Sequence, residues 1–426
     1  MTENIYTAYT QILKEELVPA MGCTEPIAIA YASSILRNAL GEEPTSIRAG
    51  FSGNIIKNVK SVIVPATDGL KGIPVAIAAG VISNAPEKQL QVLCALGVDG
   101  AEKIHRFLED CPIEIYKIDG APAFEIDIEG QSRSHSARVR FIGAHTNIDT
   151  VELDGKDISR RYAYSCAIDS GAGGVDRSLL NVMDIVQFAD TVDLGELRPY
   201  LTKQAEMNMA IAREGLNRAW GASIGQLLYN DGNCDLRTRA KAYAAAASDA
   251  RMSGCEMPVC ILSGSGNQGI TASVPVLVYG EALGADEEKI LRAMIVSNLI
   301  TVHQKSGIGC LSAYCGAISA GCGCGTGICY LYGGGFREIA HSLVNSVAIL
   351  SGTICDGAKS SCAAKIAMAV EAGIMGYEMF ASGRQFYGGD GIVSKGVENT
   401  IKNVGRLARD GMKATDEQII EIMLQK

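Results

Sequence analysis

The sequence predicts an α+β protein in which a smaller α/β lobe is inserted into a mostly helical body. Between about residues 45 and 160, apolar and polar residues alternate with a period of two, and Asp-Gly and Glu-Gly pairs separate the runs, as in strands joined by tight turns. After about residue 176 this alternation almost disappears. Alanine-rich stretches such as 239–250 replace it and predict helices that pack closely through small side chains.

Two helices are predicted before the lobe. Residues 3–17 carry apolar side chains at helical spacing, and Pro19 ends this helix. The second helix covers about residues 26–38, because a proline suits its first turn and Thr24 is a suitable cap. Cys23 then lies at a helix N-terminus, a position that favours a thiolate.

Four strands are predicted in the lobe, and the last two form a hairpin with one solvated face. They are residues 61–64, 113–116, 124–128 and 137–142. Helices near residues 87–109 are expected to cover the other face. The predicted organisation is therefore N-terminal helices that pack on the body (1–44), the α/β lobe (45–165) and the helical body (166–426).

Composition and charge argue against two classes of partner. The 426 residues carry a formal net charge of −9, and lysines and arginines form no run, so nucleic acid is not an expected partner. Residues 306–336 contain no charged side chain, but ten glycines there favour a tightly packed buried segment over a membrane helix. The N-terminal residues lack the basic flank and apolar core of a secretory signal. A cytoplasmic protein with reduced cysteines is therefore expected.

A glycine-rich segment, Ser263-Gly-Ser-Gly-Asn-Gln-Gly, follows a short apolar run. It matches the spacing of dinucleotide-binding loops, but Pro275 falls where that motif needs an uninterrupted helix, so nicotinamide binding is not expected. Its backbone N–H groups can instead hold a small carboxylate. A tight turn without a ligand is the alternative. The substrate-binding residues predicted in this segment are Ser265, Gly266, Asn267 and Gln268.

The other polar candidates are weaker. The five histidines show no metal-ligand spacing, so ordinary hydrogen-bonded histidines are expected, and only His303, just before the uncharged stretch, is singled out. Asn54, which follows a glycine in Phe51-Ser-Gly-Asn, is predicted to reach the substrate from the lobe.

Fourteen cysteines are a high number for a reducing compartment, where they serve as metal ligands, nucleophiles or small buried residues. Seven of them lie between residues 310 and 362, and spacing alone does not select among these seven. Two ligands at Cys355 and Cys362 on one continuous helix would be about 10.5 Å apart along its axis. We therefore expect a turn at Asp356-Gly357, with Cys355 in a loop and Cys362 on the following helix. The seven are Cys310, Cys315, Cys322, Cys324, Cys329, Cys355 and Cys362.

Four separated motifs occur in one order along nearly the whole chain: Gly22-Cys-Thr-Glu-Pro, Ser263-Gly-Ser-Gly-Asn-Gln-Gly, Tyr314-Cys-Gly-Ala and Cys355-Asp-Gly-Ala-Lys-Ser-Ser-Cys. Together they resemble the L-cysteine desulfidase family, which is related to the catalytic domain of iron–sulfur L-serine dehydratases. The resemblance implies that the helical body is a catalytic domain that holds a 4Fe-4S cluster. It also implies that the cluster ligands are Cys315, Cys355 and Cys362, and that Cys23 is an active-site thiol.

The resemblance implies β-elimination on a small amino acid, L-cysteine, to give sulfide, ammonia and pyruvate without pyridoxal phosphate. Cys23 at its helix N-terminus can serve as a base, a fourth ligand or a nucleophile, and a small buried cysteine is the alternative. The spacing of the last two ligands and the Gly-Ser-Gly-Asn-Gln-Gly segment differ from the dehydratases, which argues against serine. Three alternatives stay open: serine or threonine dehydration with the same cluster, a non-catalytic iron–sulfur or thiol sensor, and a fold kept without a cluster. The alanine- and glycine-rich helices are compatible with a homodimer.

Overall fold

The computed structural model describes residues 3–162, 174–309 and 311–424. Its helices far outnumber its strands, and a mixed sheet lies between residues 46 and 157, so the predicted α+β class is confirmed. The predicted boundary between residues 165 and 166 and Cys310 lie outside the described residues.

Along the chain, helices occur before, within and after the segment that forms the sheet. Before and within the lobe they are α1 (Glu3–Glu16), α2 (Thr24–Leu40), α3 (Gly53–Val59), α4 (Ile73–Ser83) and α5 (Gly100–Asp110). After it they are α6 (Val182–Thr191), α7 (Arg198–Asn217), α8 (Ile224–Tyr229), α9 (Leu236–Met252), α10 (Gly266–Ala282), α11 (Glu287–Ile308), α12 (Gly316–Leu331), α13 (Phe336–Ile349), α14 (Cys362–Ala381), α15 (Val397–Arg406) and α16 (Lys413–Leu424).

The sheet has the strand order β3-β2-β4-β5-β6-β7, in which β2 and β3 are parallel and the other pairs antiparallel. Its strands are β2 (Ser46–Phe51), β3 (Ile113–Lys117), β4 (Glu125–Gln131), β5 (Ser136–Ile142), β6 (Ile148–Leu153) and β7 (Lys156–Asp157). The predicted hairpin is present as β4 and β5. A second, two-stranded ladder joins β1 (Pro19–Met21) to β8 (Pro258–Cys260) and so ties the first loop to the glycine-rich segment.

The sheet has one apolar and one charged face, as its alternation predicts. On the apolar face the ring of Tyr31 in α2 meets Phe141 edge to face at 5.3 Å. On the other face Arg138 pairs with Asp127 at 2.6 Å and Arg140 with Glu125 at 2.6 Å. The prediction that helices near 87–109 cover the apolar face was wrong. Helix α2 packs there, and α5 packs on α4.

Three local expectations were also wrong. Residues 61–64 form no strand; Ile63 makes only an isolated bridge to Lys71, because the segment is a short turn after α3. The N-cap of α2 is Cys23 and not Thr24, which is already helical. Pro275 does not interrupt the helix that follows the glycine-rich segment but lies inside α10.

The helical body packs through small residues, as the alanine-rich stretches predict. A Cβ on Gly215 of α7 would lie 2.0 Å from the carbonyl oxygen of Ala246 of α9. The same holds outside the body, where one on Gly80 of α4 would lie 2.0 Å from the carbonyl oxygen of Ala30 of α2. Backbones therefore approach to distances that only glycine permits. Among the described residues, no helix combines the length and apolar character needed to cross a membrane.

Candidate active site

A cavity of about 1010 Å³ collects residues from every motif that the sequence analysis singled out. Its wall includes the start of α2, the turn after β5, the loop before α10, the start of α12, the loop 355–358 and the start of α14. The predicted residues that line it are Cys23, Ser265, Asn267, Gln268, Cys315, Cys355 and Cys362; Gly266 lies between two of them at the first turn of α10.

Cys315 and Cys355 lie side by side because two short segments pair. The backbone N–H of Cys355 donates to the carbonyl of Ala313 at 2.7 Å, and that of Cys315 donates to the carbonyl of Thr353 at 2.9 Å. Tyr314 and Ile354 form the antiparallel bridge between them. Chain segments 40 residues apart in sequence are thereby held in a fixed register, with both thiols at one wall of the cavity.

Cys362 joins this pair because helices α12 and α14 run parallel. Gly321 meets Ala369, and Gly325 meets Gly373, each at a prospective Cβ-to-oxygen distance of 2.3 Å. Both contacts join positions 48 apart in sequence, so the helices advance together and their N-termini lie at the same end. Cys315 is the N-cap of α12, and Cys362 is the first residue of α14, which confirms the prediction that Cys362 lies on the helix after the loop.

The three thiols have different electrostatic surroundings. Hydrogen bonding with Cys315 and the positive charges of Lys57 and Lys305 lower the pKa of Cys355 to about 6. The same interaction with Cys355, together with burial, raises the pKa of Cys315 well above its ordinary range. Burial also raises the pKa of Cys362. One sulfur of the group is therefore readily a thiolate, the form in which cysteine binds metal.

These three cysteines offer the ligand type that an iron–sulfur cluster requires. In the described part of the chain, no group of three or more histidine, cysteine or acidic side chains is placed so that it could hold a metal ion. Three thiols around one cavity, with cationic Lys57 and Lys305 near enough to Cys355 to lower its pKa, match the thiolate set that such clusters use.

Cys23 lies in the same cavity, but its environment differs from the predicted one. Its thiol donates to Oε2 of Glu25 at 3.1 Å. Burial and the charge of Glu25 raise the pKa of Cys23 well above its ordinary value, so the expectation that the helix N-terminus yields a thiolate was wrong. Desolvation outweighs the helix dipole here because the thiol is only 3% exposed.

Glu25 is held as a carboxylate at the centre of a hydrogen-bond network. Its Oε2 accepts from the thiol of Cys23 and from the hydroxyl of Thr24 at 3.0 Å, and its Oε1 accepts from Nδ2 of Asn58 at 2.9 Å. Burial alone would raise the pKa of Glu25, but His145, the hydrogen bond from Cys23, a backbone hydrogen bond and Arg251 keep it below its ordinary value. The network fixes the start of α2 against the lobe.

Several buried polar atoms in this cavity have no hydrogen-bond partner among the described residues. Such atoms are rare in folded proteins and are normally satisfied by water or a ligand. They belong to both donors and acceptors, as binding a zwitterion requires. They are Nε of Arg251, Nε2 of His145, Oδ1 of Asn58, Oδ1 of Asn267 and Oε1 of Gln268.

Four further residues of the cavity were not predicted from the sequence: Glu25, Asn58, His145 and Arg251. Glu25 stands in the Gly22-Cys-Thr-Glu-Pro motif and could have been noticed there, whereas His145 and Arg251 carry no local signal. Asn54 does not line the cavity; Asn58, one turn later in α3, does. His303 is likewise absent from the cavity wall, and its Nε2 pairs with Glu398 at 2.7 Å.

Comparisons with known proteins identify the family of this chain. The sequence model of the serine dehydratase alpha chain matches residues 74–421. Similar proteins include a UPF0597 protein of Desulfitobacterium hafniense, 51% identical over 100% of this chain and 98% of that protein. UPF0597 proteins of Lachnoclostridium phytofermentans (46% identical, over 99% of this chain and 100% of that protein) and Treponema denticola (43%, over 98% and 97%) also match. This chain belongs to the serine dehydratase alpha chain family.

Proposed function

We propose that this protein is a pyridoxal-independent iron–sulfur lyase that converts L-cysteine and water to sulfide, ammonia and pyruvate. The observation that carries the proposal is the convergence of Cys315, Cys355 and Cys362 on a cavity that is also lined by buried polar groups without hydrogen-bond partners among the described residues. The family supports dehydratase-type chemistry in general. Cysteine is chosen over serine because sulfur is the softer ligand, which iron–sulfur sites prefer.

When bound, a 4Fe-4S cluster held by the three cysteines would offer one iron without a protein ligand as a Lewis acid for the leaving heteroatom. The chain itself must supply acid–base groups. Glu25 cannot readily accept a proton, because both its oxygens already accept hydrogen bonds and its pKa lies below the ordinary value. Cys23 holds its own proton, because its pKa is raised.

His145 is the base that best fits α-proton removal. Its Nε2 atom is buried and unpartnered among the described residues, and the ring lines the cavity. Burial and the charge of Arg251 lower its pKa, against the opposing effect of Glu25, so the imidazole is neutral at pH 7. His145 and Cys23 thus have the opposite protonation states that an acid–base pair requires.

The reaction then proceeds as follows. Nε2 of His145 takes the α-proton, the C–H electron pair becomes the Cα=Cβ bond, and the Cβ–S pair leaves with sulfur as hydrosulfide. The resulting aminoacrylate takes a proton at Cβ, and the imine formed hydrolyses to pyruvate and ammonia. Cys23 is the protonated group available in the cavity for the Cβ step.

The test is turnover by protein reconstituted anaerobically with iron and sulfide. Sulfide and pyruvate in equal amounts from L-cysteine, insensitive to aminooxyacetate, are expected; protein handled identically without iron is the control. Pyruvate from L-serine at a higher rate than from L-cysteine would support the serine dehydratase instead. Absence of pyruvate from both substrates would refute the lyase, and spectral changes on oxidation without turnover would favour a sensor.

A further inference from the structure

Arg251, near the end of α9, is a buried cation that has no counter-ion among the described residues. Arg251 is 3% exposed and lines the cavity, and its Nε has no hydrogen-bond partner in the described ranges. None of their acidic side chains lies within 4.0 Å of it. Because an unpaired buried charge is costly, such a group indicates an anionic ligand.

Glu25 does not fill this role. It lines the same cavity, and the charge of Arg251 lowers its pKa. Its two oxygens, however, accept hydrogen bonds from Cys23, Thr24 and Asn58. The guanidinium group therefore keeps its donors for something else in the cavity.

The start of α10 is shaped around this guanidinium. A Cβ on Gly266 would lie 2.3 Å from Nε and 2.7 Å from Cζ of Arg251, so only glycine leaves room for the side chain. The contact places the cation at the N-terminus of a 17-residue helix, whose free N–H groups and dipole also favour an anion. Two independent features thus favour negative charge at one point.

Two hydrogen-bond acceptors lie on α10 directly after Gly266. Oδ1 of Asn267 and Oε1 of Gln268 are buried and receive no hydrogen bond from the described residues, which suits an ammonium group. The Gln268 amide also lies against Gly316, where a Cβ would be 2.6 Å from its Cδ. Gly316 follows Cys315, so the Gln268 amide lies next to the segment that carries this thiol and two residues from Gly266, which contacts the guanidinium.

We infer that Arg251 binds the α-carboxylate of the substrate and thereby restricts the enzyme to α-amino acids with a free carboxylate. Asn267 and Gln268 accept from the α-ammonium group, and the β-substituent faces Cys315. This inference rests on the proposed function, because it assigns one end of the same substrate.

Binding of L-alanine, which has no leaving group, tests the inference without requiring elimination. Calorimetry on reconstituted wild type should detect L-alanine but not ethylamine, the same molecule without its carboxylate. Arg251→Gln should weaken L-alanine binding roughly 10–100-fold, the range expected for a hydrogen bond to a charged group. Arg177→Gln is the matched control, because Arg177 lines the same cavity but already pairs with Glu15 and Glu16.

Equal affinity of wild type and Arg251→Gln for L-alanine, or equal binding of ethylamine and L-alanine, would overturn the assignment. So would the absence of L-alanine binding to wild type. Circular dichroism checks that Arg251→Gln is folded; Arg251→Lys, which keeps the charge, should restore part of the affinity. The protein could bind L-alanine in a way that depends on Arg251 and yet release no sulfide from cysteine. That result would support carboxylate binding by Arg251 and refute the desulfidase, so the two failures are distinguishable.

Discussion

Gly325 and Gly373 meet backbone to backbone: a Cβ on Gly325 would lie 2.3 Å from the carbonyl oxygen of Gly373. With the neighbouring contact of Gly321 and Ala369, this closeness fixes the parallel alignment of α12 and α14. The alignment sets how the N-termini of the two helices lie relative to each other, and therefore how Cys315 and Cys362 lie relative to each other. Packing well inside the body thus sets the geometry of the candidate cluster site.

Gly373→Ala should therefore impair the site without touching it. A Gly→Ala change inside a helix ordinarily stabilises by about 0.5–1 kcal/mol. Here the new Cβ would lie 2.0 Å from the carbonyl oxygen of Gly321, so we expect a net loss of about 1–3 kcal/mol from overpacking and a lower iron content after reconstitution. Denaturant unfolding and iron counting measure both. Met368→Ala is the control, because Met368 of α14 is 59% exposed, and it should leave both unchanged.

Replacing any of Cys315, Cys355 or Cys362 by alanine should abolish the cluster. Each substitution removes one of the three thiols around the cavity. The two thiolates that remain are too few to hold a 4Fe-4S cluster. Anaerobic reconstitution followed by visible absorption and iron counting gives the answer. About four irons per chain are expected for wild type and far fewer for each variant.

Cys322→Ala is the matched control for these variants. Cys322 lies in α12 two turns after Cys315, is 1% exposed and does not line the cavity. Its loss leaves a small void, so a modest loss of stability with normal iron content is expected. Full iron loading in the Cys355→Ala variant, or loss of iron in Cys322→Ala, would contradict the assignment of ligands.

Local patterns predicted much of this fold, and long-range pairing accounts for what they missed. Alternation identified β4 and β5 because one face is apolar and the other charged. Strand β2 was missed, since Ser46–Phe51 lies between β3 and β4, a position that only tertiary pairing defines. The same holds for Cys315 and Cys355, whose adjacency depends on the pairing of Tyr314 with Ile354.

The candidate site shows the same limit in its electrostatics. The sequence places Cys23 at a helix N-terminus, and that much is confirmed. The pKa of Cys23 depends on burial and on Glu25. The position of Glu25 depends in turn on its hydrogen bond with Asn58 of α3, which is a long-range contact. Arg251 and His145 are separated by more than 100 residues from each other, and neither lies in a motif. Their unpartnered atoms are visible only in three dimensions.

Glu25→Gln should make Cys23 more acidic. In addition to burial, the carboxylate raises the pKa of Cys23 both by its charge and by accepting a hydrogen bond from the thiol, and the amide removes the charge. Alkylation of Cys23 by iodoacetamide, followed by mass spectrometry across pH 7 to 10, should therefore start at lower pH in the variant. Glu16→Gln makes the same chemical change elsewhere in the cavity and should leave the profile in place. An unchanged profile in Glu25→Gln would show that burial alone sets this pKa.

His145→Asn should abolish exchange of the α-proton of L-alanine with deuterium in reconstituted protein, a reaction that needs a base but no leaving group. A loss of roughly 10²–10⁴-fold is expected for a general base. His303→Asn is the control, because His303 lies outside the cavity and pairs with Glu398. Nuclear magnetic resonance follows the exchange, and a rate in His145→Asn equal to that of wild type would assign the base to another residue.

The pH dependence of that exchange has a definite sign. Burial and Arg251 lower the pKa of His145 below its ordinary value of 6.5, so the neutral base persists at pH 6.5 and the wild-type rate should fall only at lower pH. In the same window the unfolded chain binds more protons than the folded one, so the stability associated with neutral His145 is present above pH 6.5 and is lost as the pH falls through the lower folded value. His145→Asn lacks this linkage. Acidification below pH 6.5 should therefore destabilise wild type more steeply than the variant, and parallel stability curves would show that His145 is solvated rather than buried.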